Sequence, residues 1–495
     1  MSCYAREDMR STDIIIVTLP GTLVRMPMAA PALLKASIES AGFTCKTLDF
    51  NIIFYNTVTD ANKLTALENF FSTGLNNEYV QEANNLISQW ATEIISYNPS
   101  YVGISVFTYQ NRIATKMLCE HLRKHSNIKI ILGGQGLTDG GILGPQGFAK
   151  ELILNSLADY YIKSEGELSL VELLKGNFDY PGINKDDFKQ IDDLDSIPFP
   201  NYDDYNFELY SRTALPITAS RGCVRSCSFC DIHDHWRYKY RSGLLVAEEM
   251  IYLHEKYQVN SFYFTDSLIN GGLIEFKNFC KAMAKYNQQG HNINWSGQYI
   301  IRSSTHLNEE YWTNLALAGA NNLAIGVETG SDAVRQHMNK QFSNEDLDYT
   351  MTMLEKYNIT CTFLMIIGYP TETEYDFQLT LDMFKKYQHL ANKIIIDINF
   401  GSTLGILPGT PLYNQALEFN IELDKHENNW IAHDNPTLTL QERIRRVNTI
   451  TEYVTNLGYK FDTVATGVLH ILEKNIPLFE KRNKIKKMIK IRELK

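Results

Sequence analysis

The sequence predicts an α/β protein in three parts: a parallel sheet covered by helices on both faces, a partial parallel barrel of six β/α units, and a helical C-terminal extension. Three observations predict it. Short β-branched or apolar runs alternate with helical stretches from residue 13 to 175 and again from 215 to 400, and such alternation builds parallel sheets joined by crossover helices. Between the two series, residues 180–205 carry the acidic run Asp192-Asp193-Leu194-Asp195 and then Ile197-Pro198-Phe199-Pro200, the composition of a linker. From about Ile421 onward the pattern reads as mostly helical. These limits divide the 495 residues into 1–179, a linker at 180–212, a barrel at 213–420 and an extension at 421–495.

In the first series, Asp13–Leu19 is a β-branched run that stops at Pro20-Gly21, a buried strand and its loop. A helix over Ala29–Ala41 runs up to the stop signal Gly42. A strand at Thr44–Phe50, a long polar helical region, a strand at Tyr101–Phe107, a helix at Arg112–Lys124 and a strand at Ile128–Leu132 follow. A further helix leads to a strand at Asp159–Ile162, and a helix at Glu167–Lys175 ends the series. Ligands of such sheets sit beyond the carboxyl ends of the strands, which lines Pro20, Ser105, Thr108, Gly133, Gly134 and Gln135 along one rim. In the second series, strands fall at Leu215–Ala219, Ser261–Thr265, Ile293–Ile300, Asn322–Val327, Thr360–Ile366 and Ile394–Phe400, with helices between them such as Val246–Tyr257 and Glu345–Tyr357. The active site of a parallel barrel belongs at the strand C-termini.

Composition narrows the setting. Hydrophobic residues make up 44% and charged residues 21% of the chain, an ordinary globular balance, and the formal net charge of −10 argues against a nucleic-acid-binding molecule. Cysteines outside one triad are scattered at 3, 45, 119, 280 and 361, which does not read as a disulfide framework. With a metal-type triad this points to a reducing, cytoplasmic setting. The N-terminus is polar, and no apolar run approaches the roughly 18 residues of a membrane span.

The triad carries the chemistry. Cys223, Cys227 and Cys230 stand in Gly-Cys-Val-Arg-Ser-Cys-Ser-Phe-Cys, a CxxxCxxC spacing with Phe229 before the last cysteine, directly after the first barrel strand. Three thiolates in one loop can hold three irons of a four-iron cluster and leave the fourth iron open. A zinc site usually wants two ligand pairs; no second cysteine pair exists, although His233 and His235 follow closely. The loop resembles that of the radical S-adenosylmethionine (SAM) superfamily, in which SAM binds the open iron of a 4Fe-4S cluster and one electron, from a flavodoxin- or ferredoxin-type donor, cleaves it to a 5′-deoxyadenosyl radical. The resemblance covers about residues 213–413 and implies SAM-binding roles at successive strand ends. Thr265, Asp266 and Ser267 stand where the family carries a Gly-Gly-Glu-like segment for the SAM amino group, but the glycines are absent here. Gln298 and Arg302 follow, Arg302 as a partner for the SAM carboxylate. Gly326-Val327-Glu328-Thr329-Gly330-Ser331 resembles the family's fourth-strand signature, with Glu328 toward the ribose. Gly368-Tyr369-Pro370-Thr371-Glu372-Thr373 resembles its turn against adenine, and Leu407 to Tyr413 its closing segment.

The N-terminal part is similar to the Rossmann-like cobalamin-binding domain that precedes the barrel in one branch of this superfamily. The counterparts are Leu19-Pro20, Pro31 to Gly42, Val102 to Ser105, Ile131 to Gly134, Ala158 to Leu168 and Ile197 to Tyr202. The resemblance implies cobalamin on the rim and methyl transfer to an unactivated carbon. The loop that supplies a cobalt-coordinating histidine in other cobalamin proteins is missing after the first strand, as it is in many members of this branch. The alternatives are a radical SAM enzyme without cobalamin, acting by oxidation, cyclisation or rearrangement, and a cluster- or cobalamin-binding sensor. A methylthiotransferase would need three converging N-terminal cysteines, which Cys3, Cys45 and Cys119 do not offer. Residues Lys481 to Lys495 hold eight basic residues and one acid, read as a solvated or self-packed terminal helix. Neither the substrate nor an acid/base residue is identified.

Overall fold

The computed structural model describes residues 12–460 apart from 23, 76–77, 140–145, 164, 402 and 425; Cys3 and the basic stretch Lys481–Lys495 lie outside the described residues. The chain forms two compact units, one of the chain up to Ile217 with Glu248–Tyr263, the other of Thr218–Ala247 with the chain from Phe264 onward.

The first sheet holds β1 (Ile14–Thr18), β2 (Cys45–Asp49), β3 (Tyr101–Ser105), β4 (Lys129–Gly133) and β5 (Tyr160–Ile162), all parallel, in the order β2-β1-β3-β4-β5. Period-two alternation sorts the side chains. Ile15, Val17, Val102, Ile104, Ile130 and Leu132 enter one apolar core, and Ile14, Ile16, Cys45, Ile131 and Ile162 enter another. The strand order reverses between β1 and β3, which opens a crevice at their carboxyl ends. The long polar region expected before β3 is three helices, Phe50–Thr57, Ala61–Thr73 and Val80–Ser96. Asp60 caps the second by accepting from Lys63 N, and Gly74 ends it in a left-handed conformation at φ 70°.

The second sheet starts with β6 (Leu215–Ile217). The antiparallel pair β7 (Ser220–Arg221) and β8 (Lys239–Tyr240) lies apart from it. Then come β9 (Ser261–Phe264), β10 (Asn294–Tyr299), β11 (Ala320–Glu328), β12 (Thr360–Met365) and β13 (Ile395–Asn399), in the order β13-β12-β11-β10-β9-β6. Its buried face carries Trp295, Leu323, Ile325, Phe363 and Ile398. Beyond the barrel the helical expectation is corrected for residues 421–439. They form a small antiparallel pair, β14 (Ile421–Glu422) with β15 (Ile431–Ala432), and turns. Asn428-Asn429 and Asp434-Asn435-Pro436 supply the turn chemistry that interrupts a helix there. The helix Leu440–Asn456 starts only at Thr439, whose side chain accepts from Glu442 N.

Candidate active site

After β6 the chain turns at Ala219 and Ser220 into the cysteine loop. Asp266 holds this corner: its carboxylate accepts from Ala219 N at 3.1 Å and from Ser220 Oγ at 2.6 Å. Burial pushes Asp266 up to about 6, against those hydrogen bonds. Both Asp266 oxygens are thereby engaged at the entrance to the loop. Thr265 Oγ1 pairs with Thr218 Oγ1 at 2.8 Å, and Ser267 is half-buried beside it.

The loop is pinned from three directions. Ser228 N donates to Met338 O at 3.1 Å, and Leu412 N donates to Ser228 O at 2.8 Å. Ser228 Oγ meets the Tyr369 hydroxyl at 2.8 Å, and that hydroxyl donates to His337 O at 3.1 Å. Asn339 Nδ2 donates to Ser226 O at 3.0 Å, and the Arg225 guanidinium bonds Gln341. Phe229 packs against the apolar cluster of Val334, Met338, Tyr369, Ile406 and Leu412.

All three thiols lie on this one loop. Cys227 is buried, and Cys223 and Cys230 are half-buried. Burial raises all three, Cys230 up to about 11, and each senses the charge of another member of the triad. Arg225 N already donates to Cys223 Sγ at 3.4 Å. Among the described residues no three His, Cys, Asp or Glu side chains close around a single metal ion. Three thiols on one loop match the three protein ligands of a cubane whose fourth iron is open.

Lys340, unforeseen from sequence, lies beside the loop. Its Nζ pairs with Glu328 Oε1 at 2.7 Å, with both side chains largely buried, and stands 5.8 Å from the Phe229 ring centroid. Burial works against its charge, but Glu328, Cys227 and Cys223 outweigh that and raise it. Asn339 and Gln341, at φ 57° and 56°, deliver Lys340 through two left-handed residues after the helix Asp332–His337. Glu328 itself sits at φ 65°, where the β11–β12 register shifts. A non-glycine residue in that region marks stored strain of the kind found at functional positions. The only signal in the sequence was an isolated cation beyond the strand-end acid.

The remaining strand-end residues divide. Gln298 is exposed near the end of β10. Arg302 Nη2 donates to Asn270 O at 2.6 Å and Gly271 O at 2.5 Å, while its buried Nε has no partner. Burial first and the charge of Arg302 second lower Arg225. Gly368, at φ 78°, was expected to offer bare backbone to adenine. A Cβ there would lie 2.7 Å from Arg443 Cγ, so the close approach of that arginine requires a glycine as well. Glu372 closes the same turn, accepting from Gly368 N at 3.1 Å and pairing with Arg446 at 2.9 Å.

In the first unit, the rim loops lock to one another. Asn111 Nδ2 donates to Leu19 O at 2.9 Å and Pro20 O at 2.8 Å, and Thr108 Oγ1 donates to Gly21 O at 3.0 Å. A Cβ on Gly134 would lie 2.5 Å from Val106 O, so that glycine serves loop packing. Gly133 has nothing within 4 Å of its missing Cβ, and Ser105 is half-buried and Gln135 exposed nearby, as are the rings of Phe107 and Tyr109. Cys45 and Cys119 are buried in separate apolar cores, apart from any common site.

Among the described residues no helix is long and apolar enough to cross a membrane. Residues 217–384 match the model of the Radical SAM superfamily. An uncharacterized methyltransferase of Pyrococcus horikoshii is 23% identical over 360 residues, 68% of this chain and 73% of the relative. An anaerobic magnesium-protoporphyrin IX monomethyl ester cyclase of a Synechocystis strain is 23% identical over 270 residues, 50% of this chain and 53% of its own. The fold resembles that of TsrM from Kitasatospora setae, a radical SAM methyltransferase solved with cobalamin and a [4Fe-4S] cluster, at TM-score 0.59, 18% identity and coverage of 83% of this chain and 75% of that one. OxsB, a cobalamin-dependent radical SAM enzyme, matches at TM-score 0.62 and 16% identity over 83% of this chain and 61% of its own. The domain at residues 217–384, with its cysteine loop beyond the first barrel strand, belongs to the radical SAM superfamily.

Proposed function

We propose that this protein is a radical SAM enzyme that transfers a methyl group to an unactivated carbon with the help of cobalamin. The observation that carries the reading is the pinned loop that bears the three thiols, with the buried Lys340–Glu328 pair beside it. Cys223, Cys227 and Cys230 would each hold one iron of a 4Fe-4S cluster, leaving the fourth for SAM. When bound, the cluster supplies the electron that cleaves SAM and cobalamin supplies the methyl group. The chain's own residues bind and orient. The carboxylate of SAM is drawn to Arg302 and Lys340, and Glu328 is placed to accept from the ribose hydroxyls. Arg302 is held in place by two carbonyls and keeps Nε for an anion.

For cobalamin, the rim of the first sheet fits in kind: open space at Gly133, polar Ser105, Thr108 and Gln135, and exposed Phe107 and Tyr109 for an apolar ring edge. The fold likeness to TsrM and OxsB supports the same seat. A second reading, ring formation without cobalamin, draws support from the Synechocystis cyclase.

The deciding experiment is iron and cobalt per chain after oxygen-free purification with cobalamin supplied, followed by 5′-deoxyadenosine formation from SAM under strong reductant. About four irons are expected, with cobalt near one per chain and 5′-deoxyadenosine released. Iron without cobalt favours the second reading. A chain that holds zinc in place of iron overturns both.

A further inference from the structure

The cysteine loop carries a cation of its own. Arg225 stands between the first two cysteines and is half-buried, and its guanidinium bonds the neutral side-chain oxygen of Gln341. Among the described residues no carboxylate pairs with it; the charges that act on it are those of Arg302, Cys227 and Cys223. The neighbouring cation differs, because Lys340 is neutralised by Glu328 at 2.7 Å. Another acid, Asp231, acts on Cys230, at the other end of the loop from Arg225. One short segment grips the loop on this side. Asn339 Nδ2 donates to Ser226 O at 3.0 Å and to Ser226 Oγ at 2.9 Å, and Gln341 holds the Arg225 guanidinium. Gln341 Nε2 also donates to Asn339 Oδ1 at 3.3 Å, which leaves its oxygen for Arg225. Both residues stand at positive φ, 57° and 56°, a conformation uncommon outside glycine that marks a constrained position.

A guanidinium keeps its charge at any working pH, so the loop bears a fixed positive charge that no acid cancels. A four-iron cluster gains one negative charge on reduction. A cation beside it therefore favours the reduced form, strongly where water is partly excluded, and net charge is one of the levers on a cluster's potential. The Arg225 N–H donated to Cys223 Sγ at 3.4 Å acts in the same direction. We propose that Arg225, held on the loop by Gln341, raises the reduction potential of the cluster. An external one-electron donor of higher potential can then reduce it; one electron enters, and no bond forms or breaks in that step. The proposal rests on the cluster reading and adds to it the residue that tunes the electron step.

The test is the midpoint potential of the reconstituted full-length protein without SAM, followed by the electron paramagnetic resonance signal of the reduced cluster. Arg225→Gln keeps the backbone donor and removes the charge. Its potential should fall by about 59 mV, a tenfold lower ratio of reduced to oxidised cluster at a fixed potential. Arg225→Lys should keep most of the unaltered potential. Gln341→Glu, at an exposed residue, leaves Arg225 in place and cancels its charge, so it should also lower the potential. Iron per chain and a melting curve establish that each variant is folded and loaded. A potential in Arg225→Gln or Gln341→Glu equal to that of the unaltered protein overturns the inference, and so does Arg225→Lys falling as far as Arg225→Gln. Absence of iron and of the signal in the unaltered protein is a different result and defeats the cluster reading itself.

Discussion

Lys340 shows how much of a site can hang on one side chain. It is a buried cation between a strand-end carboxylate and two thiols, in low-dielectric surroundings where an ion pair acts strongly. Lys340→Met leaves Glu328 buried without its partner, a loss of about 3–5 kcal/mol for a buried pair broken on one side. SAM affinity should fall about tenfold or more, measured by equilibrium dialysis on protein whose iron content is unchanged. Lys340→Arg, which keeps the charge, should recover much of it. Unchanged affinity in Lys340→Met would remove the residue from the SAM site. The three cysteines were legible because their spacing is itself the signal. Lys340 was not, because it reaches the loop through two left-handed residues after a short helix, and no periodicity encodes that path. Asp266 was legible as a strand-end acid, but whether its oxygens face a ligand or its own backbone depends on the corner at Ala219 and Ser220.

At the scale of the element, the helix Leu440–Asn456 braces the turn that follows β12. Arg443 stacks on Trp430 with 3.7 Å between guanidinium and ring centroid, donates to Trp430 O and Leu438 O, and fills the space a Gly368 Cβ would need. Gly368→Ala combines a left-handed φ of 78° with that collision, and about 1–3 kcal/mol of backbone strain alone is expected, read as a lower melting temperature. Arg446 meets Glu372 at 2.9 Å. Burial dominates there and pushes Glu372 up to about 7, while Arg446 pulls the other way. An unfolded glutamate titrates near about 4.3. Between those values the folded chain holds a proton that the unfolded chain has released, so stability falls as pH rises through this window and is level above it. Asp266, pushed up to about 6, contributes the same sign over a narrower window. Glu372→Gln carries no titrating proton, so its melting temperature should vary less over that pH range, by melts across about pH 4.5 to 7; an equal slope in both proteins would sink the assignment. The β/α alternation located every strand of both sheets to within a few residues, because burial on alternate faces writes period two into the chain. The pair β14–β15 and the two arginines escaped that reading. Two-residue strands carry no period, and a bond between residues as distant as 446 and 372 leaves no local mark.

At the scale of the whole molecule, two cofactor seats in two units should be separable by mutation. Gly133 ends β4 with open space where its side chain would be, and no positive φ opposes substitution there. Gly133→Leu therefore places an isobutyl group on the rim of the first sheet without disturbing the packing of its loops. Gly136 is the control: a Cβ there would lie 2.4 Å from Thr108 O, so Gly136→Ala must shift the rim backbone itself. With cobalamin on this rim, Gly133→Leu should lose most of its cobalt, keep about four irons per chain and still release 5′-deoxyadenosine. Methyl transfer would stop with the cobalt. Gly136→Ala should lose cobalt and also melt earlier. Cobalt retained in Gly133→Leu would move cobalamin off this rim. The rim would then be a sheet edge whose glycines serve only loop packing, as Gly134 already does against Val106, and the methyl-transfer reading would lose its seat.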